Sequence, residues 1–187
     1  MKKTILVITA VAISCAVSAQ DSGFSAGLEV GLPMGDFGDL FSVGFGPSVG
    51  YDKEAGEQGL LGVDASYLFH GGGDETITKA KTLNIIGHYK YFFSDVREGF
   101  YVAPLVGYSL VGYHIEFEVP GLISYSGDES TGGLSFGLGA GYSVTENIEI
   151  GANYRLIRAT EDGDATASSG EASTSLGILG FRAAYLF

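Results

Sequence analysis

Cysteine is nearly absent from this chain, since its 187 residues contain only Cys15. That residue lies in an apolar run, Ile5–Val17, which follows two lysines and precedes small residues suited to cleavage. The layout predicts a secretory signal over residues 1–19, and the run is too short to span a bilayer as a helix. Lipidation of Cys15 is the rival interpretation, which Ala12 opposes because leucine is expected there. Mature residues 20–187 would have no disulfide, thiolate nucleophile or cysteine metal ligand.

Basic residues are scarce as well, with 10 Lys and Arg against 22 Asp and Glu and a formal net charge of -12. Removal of the signal with its two lysines takes the charge to -14. Such a surface repels nucleic acid, and it repels anionic lipid unless its charges are segregated. We therefore expect no nucleic-acid partner.

Long apolar runs are missing from the mature chain, although the mean hydropathy is positive at +0.24. In lipid the backbone must satisfy its own hydrogen bonds, so a chain without an apolar helix of roughly 20 residues crosses only as a closed barrel. Alternation of apolar and polar residues, typical of strands, occurs in eight segments. They are residues 24–30, 42–51, 61–70, 82–93, 100–117, 133–144, 148–156 and 176–187. The sequence predicts one all-β domain, an eight-stranded antiparallel up-and-down transmembrane β-barrel.

The sizes of the residues on each face favour a membrane barrel over a soluble one of the lipocalin kind. A soluble barrel turns its apolar face inward, yet the apolar face here holds bulky aliphatic and aromatic residues that would overfill eight strands. The opposite face is mostly glycine and serine, as in residues 133–144. The register of segment 100–117 stays open, because residues 101–106 are apolar on both faces.

The predicted connections alternate in length. Those after the second, fourth and sixth strands are short, whereas Val119–Gly132 and Ala159–Ser173 are long and Gly71–Thr78 is intermediate. Small outer-membrane barrels place short turns in the periplasm, so both chain ends are expected there. Aromatic residues at the strand ends on that side predict an interfacial girdle. They are Phe24, Tyr51, Tyr91, Phe93, Phe100, Tyr142, Tyr185 and Phe187.

The chain resembles the small outer-membrane β-barrel domain families of Gram-negative bacteria, of the OmpA/OmpX type. The resemblance rests on the signal segment, the first strand Phe24–Leu32, the strand Gly133–Val144 and the ending Phe181–Phe187. It implies a place in the outer membrane, but such families include adhesins, anchors, pores and lipid-modifying enzymes. Three residues of the ending resemble the signal that the outer-membrane assembly machinery recognises, namely Phe181, Tyr185 and Phe187.

Seven charged or titratable residues fall on the inward face of the predicted strands. They are Glu29, Asp64, His88, Lys90, Glu149, Arg155 and Arg182. The first and last strands are neighbours in a closed barrel, so Glu29 and Arg182 are expected to pair. Paired charges bridge strands and exclude water, whereas unpaired ones are costly. A polar plug is therefore the main interpretation, and a narrow charged pore is the alternative.

Catalytic residues are not predicted. Two segments match the hydrolase pattern Gly-x-Ser-x-Gly around Ser25 and Ser135, but that motif needs a sharp turn and both lie within strands. His70 and His114 fall near the outer rim and His88 lies lower, and no local motif ties a histidine to a serine. A lipid A-modifying enzyme is therefore only the second alternative.

The expected outer loops are acidic, and residues 161–164 supply oxygen atoms that calcium could bind. They lack the spacing of a calcium loop, so a solvated loop is favoured and neither metal nor cofactor is predicted. Divalent ions bridging these loops to lipopolysaccharide phosphates stay a hypothesis. The acidic residues are Asp36, Asp39, Asp74, Glu75, Glu116, Glu118, Asp128, Glu129, Glu161, Asp162, Asp164 and Glu171.

The function predicted from the sequence is that of a monomeric, non-enzymatic outer-membrane barrel. Its interior is plugged by polar residues, and its acidic loops serve envelope integrity or surface interaction. The expected partners are outer-membrane lipid, lipopolysaccharide and the outer-membrane assembly machinery.

Overall fold

A computed structural model describes residues 23–35, 38, 41–74, 77–119, 123–160 and 173–187. The predicted signal and the possible calcium loop at 161–164 lie outside them. The strands are β1 Phe24–Met34, β2 Phe41–Glu54, β3 Gly59–Asp74, β4 Ile77–Phe92, β5 Gly99–Val119, β6 Ile123–Thr145, β7 Ile148–Thr160 and β8 Ser173–Leu186. No helix in this described part of the chain is long and apolar enough to cross a membrane.

The eight strands form one closed barrel in which each strand pairs antiparallel with the next along the chain. The barrel closes between β1 and β8, where Glu29 faces Arg182 and Val30 faces Phe181. Closure satisfies the hydrogen-bonding groups of the first and last strands, which would otherwise be open edges. The predicted architecture is confirmed.

Bulky apolar side chains face outward along every strand. Phe45 and Leu138 are 66% and 70% exposed, whereas Ser48 and Ser135, on the opposite parity, are 2% and 1% exposed. The outward apolar band covers 9 to 11 residues per strand, for example Leu134–Val144 in β6. Eleven residues rise about 33 Å along a strand, or about 25 Å at the usual tilt, which matches the apolar band of an outer-membrane barrel.

The fifth strand, whose register the sequence left open, follows the same rule. Phe100, Val102 and Val106 face outward, and Tyr101 and Ala103 are buried inside. Both faces are apolar here because β5 also contributes to an apolar layer within the barrel.

Two predicted connections are wrong in length. Val119–Gly132 is not a long loop, because β6 begins at Ile123 and its first residues pair with β5, with Val119 facing Ile123. Likewise β3 continues to Asp74 and β4 begins at Ile77. Beyond the apolar band neither face has to be apolar, so the alternation stops while backbone pairing continues. Asp128 and Glu129, predicted in a loop, therefore belong to β6.

The eight predicted girdle aromatics lie at the end of the barrel that carries the short turns, Gly23 and Phe187, called here the turn end. They form four ring pairs, with centroids 4.9 Å apart in Phe24–Tyr51 and 4.7 Å apart in Phe100–Tyr142. The other two pairs are Tyr91–Phe93 and Tyr185–Phe187. Aromatic pairs at one end of the apolar band are typical of a membrane–water interface.

Candidate functional site in the barrel interior

All seven predicted inward residues line the barrel interior. Five of them are 3% to 5% exposed, and the side chains of Asp64 and Arg182 are 24% and 10% exposed. Strand parity is the cause, because each occupies an inward position between outward apolar neighbours. All seven residues therefore belong to the inner wall of the barrel.

Lys90 and His88, both on β4, are held by carboxylates from three other strands. The Lys90 ammonium lies 2.9 Å from Asp52 Oδ2 and 2.9 Å from Glu149 Oε1. His88 Nε2 lies 2.6 Å from Asp52 Oδ1, and its Nδ1 lies 3.2 Å from Asp64 Oδ2. Both ring nitrogens thus face carboxylate oxygens, an arrangement that suits an imidazolium with two N–H donors.

The two arginines have separate acidic partners. Arg182 Nη1 lies 2.7 Å from Asp64 Oδ1, and its Nη2 donates to Ser25 Oγ at 2.8 Å. Arg155 pairs with Glu29. The expected pairing of Glu29 with Arg182 is therefore wrong, although their Cα atoms are register partners. Directly facing residues on the inner wall of a barrel need not meet, because long side chains reach across the lumen.

Asp52 is the functional residue that sequence reasoning missed, since it was assigned to the turn after β2. It is 4% exposed and bonds both His88 and Lys90. The signal was available, because Asp52 continues the inward parity of Ser48 and Gly50 by one step. The second predicted strand ended at Tyr51, its last apolar residue, so Asp52 fell in the predicted turn.

The cluster brings equal numbers of acidic and basic groups together. Its carboxylates are Glu29, Asp52, Asp64 and Glu149, and its basic groups are Lys90, Arg155, Arg182 and His88. The Tyr101 ring packs against Lys90, with the ammonium 5.3 Å from the ring centroid. Desolvation of so many charges is offset only when the pairing is complete, so the loss of one member leaves an uncompensated buried charge.

Glycine makes room for this cluster at Gly62. A Cβ atom there would overlap Asp52 Oδ1 and would lie 2.5 Å from His88 Nε2. Inward glycines were predicted to fit a narrow interior. Gly62 does so by leaving the space that the Asp52 and His88 side chains occupy.

A hydrogen-bonded ladder of neutral side chains crosses four strands on the loop side of the cluster. Ser135 donates to Ser109 at 2.7 Å, Ser109 donates to Asn84 at 2.7 Å, and Asn84 donates to Ser66 at 3.1 Å. Ser135, the centre of one hydrolase-like pattern, is thus a buried structural hydroxyl. Ser25, the centre of the other, accepts from Arg182.

Apolar layers lie at both ends of the polar interior. The turn-end layer comprises Leu60, Phe92, Tyr101 and Ala103, with Val96 and Leu105 against it. The loop-end layer comprises Phe41, Ala80, Val111, Ile157, Leu176 and Ile178, with Tyr113 against it. The sequence did not predict these layers. Their residues are apolar like the outward ones, so apolarity alone does not show that they face inward.

His70, a predicted rim histidine, is buried beside the loop-end layer. Its Nδ1 lies 3.0 Å from the carbonyl oxygen of Ser42, and its Nε2 lies 3.1 Å from Thr82 Oγ1. The side chain of His114 lies outside the described part of the structure. Ser25 and Ser135 sit in other hydrogen bonds, so this geometry joins no histidine to either serine of the hydrolase-like patterns.

A closed eight-stranded barrel with an apolar outer band, an aromatic rim and a buried charged interior defines a transmembrane β-barrel. The family model of the outer membrane protein beta-barrel domain matches residues 4–181. The chain belongs to that family, which confirms the resemblance drawn from the sequence. No curated protein matches the chain.

Solved structures of other outer-membrane proteins share the fold. Ail, the attachment invasion locus protein of Yersinia pestis, has 16% identity and a TM-score of 0.58, over 89% of this chain and 97% of that one. The N-terminal barrel domain of Pseudomonas aeruginosa OprF has 17% identity and a TM-score of 0.56, over 89% and 100%. Neisserial surface protein A has 18% identity and a TM-score of 0.55, over 89% and 98%. These similarities show the fold alone.

Proposed function

We propose that this protein is a monomeric, non-enzymatic outer-membrane barrel with a closed interior, which supports envelope integrity or surface interaction. The observation that carries the proposal is the stack of layers along the barrel axis. An apolar layer, the ion cluster, the serine and asparagine ladder and a second apolar layer follow one another from the turn end. A permeating ion would have to pass all four.

The energetic basis of closure is the ion cluster. Breaking a buried pair by removing one partner costs about 3–5 kcal/mol, and a passing ion would have to separate pairs such as Lys90–Glu149 in the same low-dielectric space. Dehydration at the apolar layers adds to that barrier. Closure is thus a consequence of the side chains that also hold the strands together.

The proposal is tested with the purified barrel reconstituted in lipid vesicles loaded with a pH-sensitive or chloride-sensitive dye. We expect ion gradients to persist as they do in empty vesicles. An open porin in the same vesicles is the positive control. Gradient collapse at one barrel per vesicle would overturn the closed interior and favour the narrow pore.

The narrow pore has one observation in its favour, a cavity of about 60 Å³ beside the ion cluster. Space next to paired charges would let them exchange partners. A lipid A-modifying activity has less support, because both serines of the hydrolase-like patterns take part in structural hydrogen bonds. Unchanged acylation of lipid A on expression is the result we expect, and an altered pattern would revive the enzyme.

Contact with lipopolysaccharide is proposed for the loop-side edge of the apolar band. Lys81 on β4 and Arg158 on β7 face outward there and are exposed, and Arg158 lies 5.5 Å from the ring of Phe136. Cations at the loop-side edge of the apolar band can bind the phosphates of the outer leaflet. Replacement of both by glutamine should weaken lipopolysaccharide retention during purification, whereas replacement of Lys53 at the turn end should not.

Recognition by the outer-membrane assembly machinery is proposed for the C-terminal strand. Phe181 and Tyr185 face outward, and the Phe187 amide donates to the Phe24 carbonyl at 2.9 Å, which ties the chain end to β1. Deletion of Phe187 should lower the assembled amount in cells. Unchanged assembly would contradict this role.

A further inference from the structure

A polar groove of about 510 Å³ lies at the turn end of the barrel, between the turn that joins β4 to β5 and the turn that joins β6 to β7. Arg97 and Glu98 border it from the first turn, and Glu146 borders it from the second. Ser143, near the end of β6, also lines it. The polar groove therefore presents one cation and two carboxylates beside a hydroxyl group.

Two buried polar atoms of residues lining this groove have no hydrogen-bond partner among the described residues. They are Arg97 Nε and Ser143 Oγ, and Ser143 is only 7% exposed. Within the same part of the chain Arg97 also forms no ion pair, in contrast to Arg155 and Arg182. Buried polar groups without partners are costly, so these two atoms indicate a polar ligand in the groove.

An apolar depression of about 550 Å³ lies on the lipid-facing wall of the barrel, where outward positions carry small side chains. Ala140 on β6 faces Ala152 on β7, and Ala183 on β8 also lines the depression. Bulky residues border it, among them Leu28 and Phe181, which are 67% and 46% exposed. A concave apolar surface of this kind buries more of a hydrocarbon chain than the convex wall around it.

The polar groove and the apolar depression meet at Tyr142, which lines both. Its ring packs on Phe100 with the centroids 4.7 Å apart, as one of the four girdle pairs. Such aromatic residues lie where lipid headgroups meet the hydrocarbon region. The polar groove is therefore at the level of the headgroups, and the apolar depression begins at the level of the acyl chains.

We propose that these two features form one binding site for a phospholipid of the leaflet at the turn end, with a headgroup that carries a phosphate and a primary ammonium group. Arg97 and Ser143 donate hydrogen bonds to the phosphate. Glu98 and Glu146 accept from the ammonium group, and an acyl chain fills the depression at Ala140. The proposal rests on the proposed place of the barrel in an outer membrane, but it does not depend on a closed interior.

The charges of the polar groove select this headgroup. A guanidinium group binds phosphate oxygen atoms through charge-assisted hydrogen bonds, and carboxylates bind an ammonium group in the same way. A phospholipid with a phosphate but no ammonium group would leave Glu98 and Glu146 unpaired beside its negative charge. A zwitterionic headgroup matches both signs of charge.

The test is native mass spectrometry of the purified barrel from detergent micelles that contain equal amounts of phosphatidylethanolamine and phosphatidylglycerol. Arg97→Gln removes the cation of the polar groove, and Lys53→Gln, at an exposed position of the turn end outside the groove, is its control. Ala140→Leu fills the apolar depression, and Ala26→Leu, at an exposed outward position of β1 outside it, is the second control. Gel mobility shows that each variant is folded.

We expect the unmodified barrel to retain a single phosphatidylethanolamine in preference to phosphatidylglycerol. Arg97→Gln should lower the apparent affinity about tenfold, as for the loss of one charge-assisted hydrogen bond, and Ala140→Leu should lower it too. Both controls should bind as the unmodified barrel does. Equal retention of the two lipids by the unmodified barrel would overturn the proposal, and so would equal retention by Arg97→Gln and Lys53→Gln.

Failure of this site is distinguishable from failure of the proposed function. A barrel that inserts into lipid vesicles but shows no preference between the two lipids would contradict the lipid site alone. A barrel that does not insert would contradict the place in the membrane on which the site rests, and with it the site.

Discussion

Glu29 and Arg182 face each other across the seam between β1 and β8, yet their side chains bind different partners. Glu29 reaches Arg155 on β7, and Arg182 reaches Asp64 on β3. Each arginine therefore links strands that do not pair directly through their backbones. The cluster braces the barrel across its lumen in addition to the ladder of backbone hydrogen bonds.

This choice of partners is measurable by double-mutant cycles. For Asp64→Ala with Arg182→Ala, and for Glu29→Ala with Arg155→Ala, we expect coupling energies of about 1–3 kcal/mol in the free energy of unfolding. For Glu29→Ala with Arg182→Ala the coupling should be clearly smaller. Urea unfolding of the barrel in lipid vesicles provides the values. A Glu29–Arg182 coupling larger than the other two would show that the pairs are wrongly assigned.

Asp52 holds two basic groups, so its loss should be more costly than that of an exposed acid on the same strand. Asp52→Ala leaves Lys90 and His88 without a shared carboxylate, and we expect a loss of about 3–5 kcal/mol in the free energy of unfolding. Glu54→Ala, two residues on at an exposed position, should stay within about 0.5 kcal/mol. Equal effects of the two substitutions would contradict the role of Asp52.

Gly62 should tolerate no side chain, because a Cβ atom would overlap the Asp52 carboxylate. We expect Gly62→Ala to lower the free energy of unfolding by about 1–3 kcal/mol through overpacking. Gly87→Ala on β4 is the matched control, since the nearest atom to a Cβ there is 3.4 Å away. Thermal unfolding followed by gel mobility would distinguish them, and a neutral Gly62→Ala would refute the tight fit.

Orientation is testable by cysteine labelling, because the only cysteine of the chain lies in the predicted signal. Ser130→Cys on the loop side should react in intact cells with a maleimide that cannot cross the outer membrane. Glu146→Cys, in the short turn between β6 and β7, should react only after permeabilisation. The opposite pattern would place the chain ends outside the cell.

Strand existence, facing and closure were predictable from the sequence because lipid imposes one rule on every outward position of the barrel. Leu134 and Gly133 could be assigned to opposite faces without any knowledge of their neighbours. The rule fails where lipid is absent, so the extension of β6 down to Ile123 was missed. The same rule does not assign a face to residues such as Tyr101, which can face either lipid or an apolar layer of the interior.

Side-chain partners inside the barrel were less predictable than side-chain location. Parity placed all seven predicted residues in the interior, but Arg155 and Arg182 are long enough to reach several carboxylates. Which one each arginine meets depends on strand tilt and on the space left by residues such as Gly50 and Gly62. Neither the strand tilt nor this space can be predicted from the sequence of one strand.

The closed interior is tested most directly by single-channel recording of the purified barrel in a planar bilayer. We expect no current steps at either polarity in about 1 M salt, where the screening length is roughly 3 Å. An open porin should give steps under the same conditions. Reproducible ohmic steps that scale with salt concentration would contradict a closed barrel.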